Sequence, residues 1–310
     1  MKKISLIFIG TAGIGIPLLE KLTQDNRFDV KLVITQADRP AGRSMQMASS
    51  PIKVKSEELR IKSFQPENIN SEDSLATIRD IRPDMIILYA YGQILSRELL
   101  DIPKYGSINA HASLLPKYRG ASPVQQALLN SDEITGLSIM QMVEKMDAGP
   151  VYKQSDLTIK KDDDVLTLTS RLANLTAYEM PDILISIIRG DLEPEPQDDS
   201  KASYCEKIKK SDGEINWNED AKTIHAKMRA YAGWPGTFTF WNGKRLKILS
   251  GQADAYEVEP GKVIQKDHLI FIGTKKGSIV PDDVQMEGKT VQHVHAFAKG
   301  YPDFINSKLG

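Results

Sequence analysis

Residues 3–9 run almost wholly apolar into Gly10-Thr-Ala-Gly13-Ile-Gly15-Ile-Pro17, after which Leu18, Leu19 and Leu22 recur at helical spacing. A short apolar strand, a glycine turn and an amphipathic helix form the opening unit of a doubly wound, mostly parallel α/β sheet. Phe28 to Ile34 reads as a second strand, and Asp84 to Ala90 is apolar enough to be a strand covered on both faces. Two lysines ahead of the first run imitate a secretory leader. Ile4 to Ile9 is too short for that, falling well below the ~18 to 20 residues that cross a bilayer. A buried strand and a cytoplasmic chain are expected. The glycines also suggest a dinucleotide loop, but their spacing departs from Gly-x-Gly-x-x-Gly and Pro17 occupies the helix start. A nicotinamide oxidoreductase therefore fits the turn poorly.

Gly106-Ser-Ile-Asn-Ala-His-Ala-Ser-Leu-Leu-Pro-Lys-Tyr-Arg-Gly120 is the stretch that carries chemistry. As a strand from Ser107 to Ala112, its period of two sets Ile108, Ala110 and Ala112 on one face and Ser107, Asn109 and His111 on the other. The second face ends in an amide and the only histidine of the first 224 residues, side by side. Donors of this kind suit a reaction at a carbonyl. Leu114-Leu115-Pro116 makes a turn at the strand's carboxyl end, where open parallel sheets bind ligands.

A length of 310 residues suggests two domains or one large one. The single cysteine, Cys205, excludes an internal disulfide, and five scattered histidines form no metal-binding spacing. Thr35 to Ser50 is a polar segment of a length unusual for a strand-to-helix connection, and Arg39 and Arg43 make it a candidate for holding phosphate. Leu137 to Val143 and Val151 to Leu157 read as strands joined through Met146-Asp147-Ala-Gly-Pro150, where Asp147 reads as a turn residue. A helical stripe through Val165, Leu168, Leu172 and Leu175 is interrupted at Pro181 and resumes at Ile183.

Asp191 to Ser200 is acidic, proline-containing and non-periodic, as linkers are. The expected division is a catalytic domain over 1–189, a linker over 190–206 and a C-terminal domain over 207–310. The last part holds one helix, Asp220 to Tyr231, and about five short strands, which suggests a small β-barrel of the oligonucleotide-binding type. Net charge is −1, but Lys201 to Ser250 carries ten basic residues against five acids. That excess is compatible with a phosphate-tracking patch that includes Lys207.

Asn109-x-His111, Ser113-Leu-Leu-Pro-Lys-Tyr-Arg-Gly120 and Asp147-Ala-Gly together resemble the formyltransferases that use 10-formyltetrahydrofolate. Thr35-Gln-x-Asp-Arg-Pro-x-Gly-Arg43 and Gly233-Trp-Pro-Gly-x-Phe-x-Phe-Trp-Asn-Gly-Lys-Arg-Leu-Lys247 resemble the branch acting on methionyl-tRNA. The resemblance runs from Ile4 to about Leu309. It implies Asn109, His111 and Asp147 as catalytic residues, and folate held against Ser113, Leu114, Leu115 and Pro116. It also implies initiator methionyl-tRNA as acceptor, met by Arg39, Arg43 and Lys207, with no metal and no membrane partner. The sequence departs from the family after Arg43. Ser44-Met45-Gln46-Met47 stands where a glycine and two lysines are usual, so two positive charges are absent. Amino-sugar formyltransferases and formate-releasing folate hydrolases share the trio and remain rivals. A non-catalytic RNA-binding protein would leave the trio unexplained.

Overall fold

Five of the seven residues in the first strand, β1 (Ile4–Gly10), are buried, so both of its faces need cover. The computed structural model describes residues 2–41 and 46–310. These divide into two units, one running to Pro123 with Ile134–Thr158 and Thr169–Glu206, the other comprising Val124–Glu133, Ile159–Leu168 and Lys207–Gly310.

In the first unit, β1 leads through a 3-10 turn into α1 (Ile16–Gln24), then β2 (Phe28–Ile34). The next segment, expected to be irregular, contains a two-stranded antiparallel ribbon, β3 (Arg39–Ala41) with β4 (Gln46–Ala48). There follow α2 (Pro51–Glu58), β5 (Ser63–Phe64), α3 (Glu72–Ile81), β6 (Met85–Tyr89), α4 (Arg97–Leu100), β7 (Ser107–His111) and β8 (Arg119–Gly120). Helix α5 (Pro123–Leu129), which past Pro123 belongs to the second unit, precedes β9 (Ile134–Gln141), β10 (Val151–Thr158) and α6 (Val165–Arg189), whose residues up to Leu168 also belong to the second unit, and β11 (Tyr204–Cys205) closes the series. Ser50, Ser71 and Ser96 cap α2, α3 and α4 with their hydroxyls, satisfying amides that a helix start leaves unpaired.

The seven-stranded sheet has the order β10-β9-β7-β6-β1-β2-β5. It is parallel from β5 to β7, while β9 and β10 each run antiparallel to the neighbour before them. Alternate residues of β1 serve two cores. Leu6 and Phe8 join Leu18, Leu22, Met180 and Leu184, whereas Ile7 and Ile9 join Leu75, Ile78 and Leu99. Strands β2 and β6 flank β1 on opposite sides, so the strand order reverses there and leaves a crevice at the carboxyl ends. Gly10 has a packing reason: a Cβ on it would stand 2.8 Å from the Tyr89 carbonyl oxygen.

Helix α6 passes through Pro181 without a break, contrary to the interruption expected there. A proline inside a helix costs about 3 kcal/mol. Met180, Ile183 and Leu184 are all buried around it, and each contributes about 1.5 to 3 kcal/mol, so packing prevails. Residues 190–206, which read as linker, are paired within this unit: Glu195 and Val151 exchange backbone hydrogen bonds, and β11 lies parallel to β8.

The second unit contains α7 (Ala221–Ala230), then β12 (Thr237–Trp241), β13 (Lys244–Ile248), β14 (Gly251–Asp254), β15 (Val263–Lys266), β16 (Leu269–Gly273), β17 (Ser278–Pro281), β18 (Asp283–Met286), β19 (Gln292–His293) and α8 (Val294–Gly300). The strands form two antiparallel sheets, β12-β13-β18-β19 and β14-β17-β16-β15. The described strands form no closed sheet, so the expected barrel is not met at this level. The run from Ser278 to Met286 holds two strands, because the chain leaves one sheet after Pro281 and enters the other at Asp283. A second crossing joins β13 to β14, and Leu249 N–H to Asp283 O and Asp282 N–H to Ser250 O tie the corners together. Trp217, Trp241, Phe297 and Phe304 fill one core, with Trp241 edge-on to Phe304 at 5.5 Å.

Leu184→Ala should destabilise the first unit by about 2 to 5 kcal/mol. Urea unfolding with an unchanged midpoint would show that the α6 stripe does not support the sheet.

Candidate active site

Asn109 and His111 lie two residues apart on β7, and each is about 95% removed from solvent, with exposures of 5% and 6%. Asn109 faces Leu88 on one side and Met140 on the other, and His111 faces Ser138. The Asn109 Oδ1 is buried with no hydrogen-bond partner among the described residues. An unpaired buried amide oxygen is costly unless something else fills it. His111 Nε2 is 2.9 Å from the Tyr118 carbonyl oxygen. A carbonyl only accepts, so Nε2 carries a hydrogen. Nδ1 is 3.6 Å from Asp147 Oδ1. Both ring nitrogens thus face oxygen acceptors, an arrangement complementary to the doubly protonated ring. The longer distance exceeds an ordinary hydrogen bond and suits a shift or an intervening water.

Asp147 stands on the turn between β9 and β10 with φ +49°, a left-handed conformation that aspartate tolerates better than most residues. Its Oδ2 accepts the Gly120 N–H at 2.8 Å. Gly149 is fixed sterically, since a Cβ there would lie 1.8 Å from the Gln141 carbonyl oxygen. Gln197 Nε2 donates to the carbonyls of Asp147 and Gly149, at 2.9 and 2.6 Å.

The Ser113 to Pro116 turn is braced from the neighbouring strands. Ser138 Oγ donates to Ser113 O at 2.6 Å and accepts from Leu115 N–H at 3.0 Å and Gln154 Nε2 at 2.9 Å. Gln154 also donates to Leu115 O at 2.7 Å, and the Ser113 hydroxyl donates to Lys117 O at 2.6 Å. Ser113 and Leu115 are buried, so the side chains this turn offers to a ligand are the half-buried Leu114 and Pro116. Ser138, Gln154 and Gln197 escaped sequence reasoning. The first two carried a faint signal as polar positions in strands, whereas Gln197 sat in linker-like composition.

A cavity of about 440 Å³ opens at the carboxyl ends of β1, β2 and β6, lined by Thr11, Ala12, Gln36, Arg39, Ala90 and Tyr91 among others. Tyr91 is buried and its hydroxyl has no partner among the described residues; burial pushes its phenol up to about 12. Arg39 is exposed on the ribbon, and Lys207, in the second unit, is exposed as well. Arg43 lies outside the described residues. Among the described residues no group of three or more His, Cys, Asp or Glu could hold a metal ion, and no helix is long and apolar enough to cross a membrane.

Residues 2–184 match the formyl transferase family, and residues 207–302 match the formyl transferase C-terminal domain. The chain is 40% identical to the methionyl-tRNA formyltransferase of Methylacidiphilum infernorum, with 98% of each chain covered. It is 37% identical to that of Geotalea daltonii, again over 98% of each. Among solved structures, the methionyl-tRNA formyltransferase from Clostridium thermocellum superposes with a TM-score of 0.59 at 15% identity, covering 91% of this chain and 98% of that one. HypX from Aquifex aeolicus in complex with tetrahydrofolic acid gives 0.67 at 16% identity, covering 98% of this chain and 48% of that one. Matched in both halves by family models and along its whole length by relatives, the chain belongs to the formyl transferase family.

Proposed function

We propose that this chain transfers the formyl group of 10-formyltetrahydrofolate to the α-amino group of methionine on initiator methionyl-tRNA, in the cytoplasm, for translation initiation. The observation that carries the chemistry is His111, held between the Tyr118 carbonyl and the Asp147 carboxylate beside an amide with an unpaired oxygen. The near-full-length identity to methionyl-tRNA formyltransferases supports the choice of acceptor.

The folate supplies the formyl carbon, and the amine must be uncharged to attack it. A free α-amino group titrates near ~7.7 to 8, so part of the population is ready at neutral pH. As the amine nitrogen bonds to the carbon, negative charge grows on the formyl oxygen. The Asn109 amide and the protonated His111 donate to it, and one such donor is worth about 10² to 10³ in rate. The attacking nitrogen loses a proton, the carbon–nitrogen bond to the folate breaks, and the folate nitrogen gains a proton. His111 is the group suited to carry it. The Asp147 carboxylate orients the ring. The products are tetrahydrofolate and formylmethionyl-tRNA.

Leu114, Pro116 and the backbone of the turn from Ser113 to Leu115 are the proposed folate contacts. Arg39, Arg43 and Lys207 are the proposed phosphate contacts of the tRNA. Residues 1–189 would form the catalytic domain, 190–206 a connecting segment and 207–310 a tRNA-binding domain. The paired corners of the two C-terminal sheets support reading them as a small barrel of the oligonucleotide-binding kind.

Transfer from 10-formyltetrahydrofolate to initiator methionyl-tRNA should far exceed transfer to elongator methionyl-tRNA. Formate release without an acceptor would replace this reading with a hydrolase, and transfer only to amino sugars would replace the acceptor. His111→Ala and Asp147→Ala should each lower kcat by at least about 10² with folate affinity nearly intact by equilibrium titration; a loss below tenfold removes them from the mechanism. Arg43→Ala and Lys207→Ala should raise KM for the tRNA much more than for the folate. Unchanged constants would exclude both as tRNA contacts.

A further inference from the structure

Of Asn109, His111 and Asp147, only Asp147 is placed by a turn instead of a strand, and its left-handed backbone is a conformation that surroundings must hold. The holding group comes from the acidic segment far along the chain. Gln197 Nε2 bridges the carbonyls of Asp147 and Gly149, at 2.9 and 2.6 Å, spanning the residue between them. Its Oε1 accepts from Arg119 Nε at 3.1 Å and Nη2 at 2.8 Å. Arg119 is fully buried, and its Nη2 also donates to Asp199 Oδ1 at 2.7 Å. Turning the Gln197 amide over would set its NH₂ against the guanidinium and its oxygen against two carbonyls. The amide therefore has one workable orientation.

We infer that Gln197 is a positioning residue for the transfer reaction, holding the Asp147 turn so that one carboxylate oxygen caps Gly120 N–H while the other faces His111. This rests on the formyl-transfer reading for its kinetic consequence. The hydrogen-bond geometry stands without that reading.

Gln197→Glu separates the two arms of the bridge. A carboxylate keeps the acceptor for Arg119 and so spares the buried guanidinium, but it sets an acceptor against the two turn carbonyls. Gln197→Leu removes both arms. In each variant kcat should fall about 10- to 100-fold, the effect of a misplacement near 1 Å, with KM for folate and tRNA within about threefold of wild type. Tyr204→Phe, which removes only the 3.4 Å contact to Arg119 Nη1, should behave as wild type. Amide hydrogen exchange supplies a readout independent of activity. Gly120 N–H, which reports the Asp147 carboxylate, should exchange at least about tenfold faster in Gln197→Glu. Arg119 N–H and Ala121 N–H, bonded to Ser203 O and Cys205 O, should keep their protection.

Equal acceleration at all three amides would mean that the segment has undocked, which overturns the inference. So would a Gln197→Glu kcat within threefold of wild type, or wild-type exchange at Gly120. A wild-type protein that does not formylate methionyl-tRNA would overturn the proposed function instead, and Gly120 exchange would still decide the role of Gln197.

Discussion

One carboxylate joins the three parts of this site. Asp147 Oδ2 receives the Gly120 N–H, and Oδ1 faces the histidine at the end of β7. Gly120 follows the turn that leaves β7, while Asp147 belongs to the turn that leaves β9, so this contact sets the spacing between two loops that no sheet hydrogen bond spans. A strand end alone aims Asn109 and His111. Their partner has to be brought from elsewhere and fixed within ångströms, which explains the density of bonds around a turn of five residues.

Burial gives those bonds their weight. In a site nearly closed to solvent, each donor acts in a lower dielectric than water provides, and an unmatched polar atom is penalised for the same reason. The Asn109 oxygen, unpaired among the described residues, is thus destabilising, whereas Ser138, within the neighbouring strand β9, has its hydroxyl satisfied three ways. The contrast separates scaffold from reactive group. Polar atoms that hold the turn are saturated, and the Asn109 oxygen is left with acceptor capacity.

What was legible in the sequence follows from the range of the forces involved. Strand period and apolar runs are local, so the sheet, its two-sided cover and the Asn109–His111 face could be read directly. Asp147 was ambiguous because turn chemistry and catalytic use ask for the same residue. Pro181 misled because its local penalty is visible in sequence while the burial of Met180 and Leu184 is not. The segment around Gln197 has the composition of a linker, and its bonds reach back 48 to 50 residues to Gly149 and Asp147 and 78 to Arg119. Nothing in an acidic proline-containing stretch announces that. In the second unit, Pro281 was the unused clue: lacking an N–H, it is a natural place for a strand to leave one sheet for another.

The ribbon that bears Arg39 shows the same division between holding and contacting. Asp38 at its base accepts from Lys53 at 2.7 Å, Gln65 at 2.8 Å and Ser49 at 3.2 Å, and Thr35 and Ser50 hydroxyls meet at 2.6 Å across the two ends. Lys53, then Gln65, holds the Asp38 carboxyl below its usual range. Its contribution is therefore complete above the ordinary carboxylate pKa and fades only as pH falls through the lowered value. None of these anchors involves Gln46, one of the two positions after Arg43 where the resembled family usually carries a lysine. The neutral Met45 and Gln46 lower the positive charge of this segment relative to that pattern, while the base of the ribbon rests on the bonds of Asp38 and the Thr35–Ser50 pair.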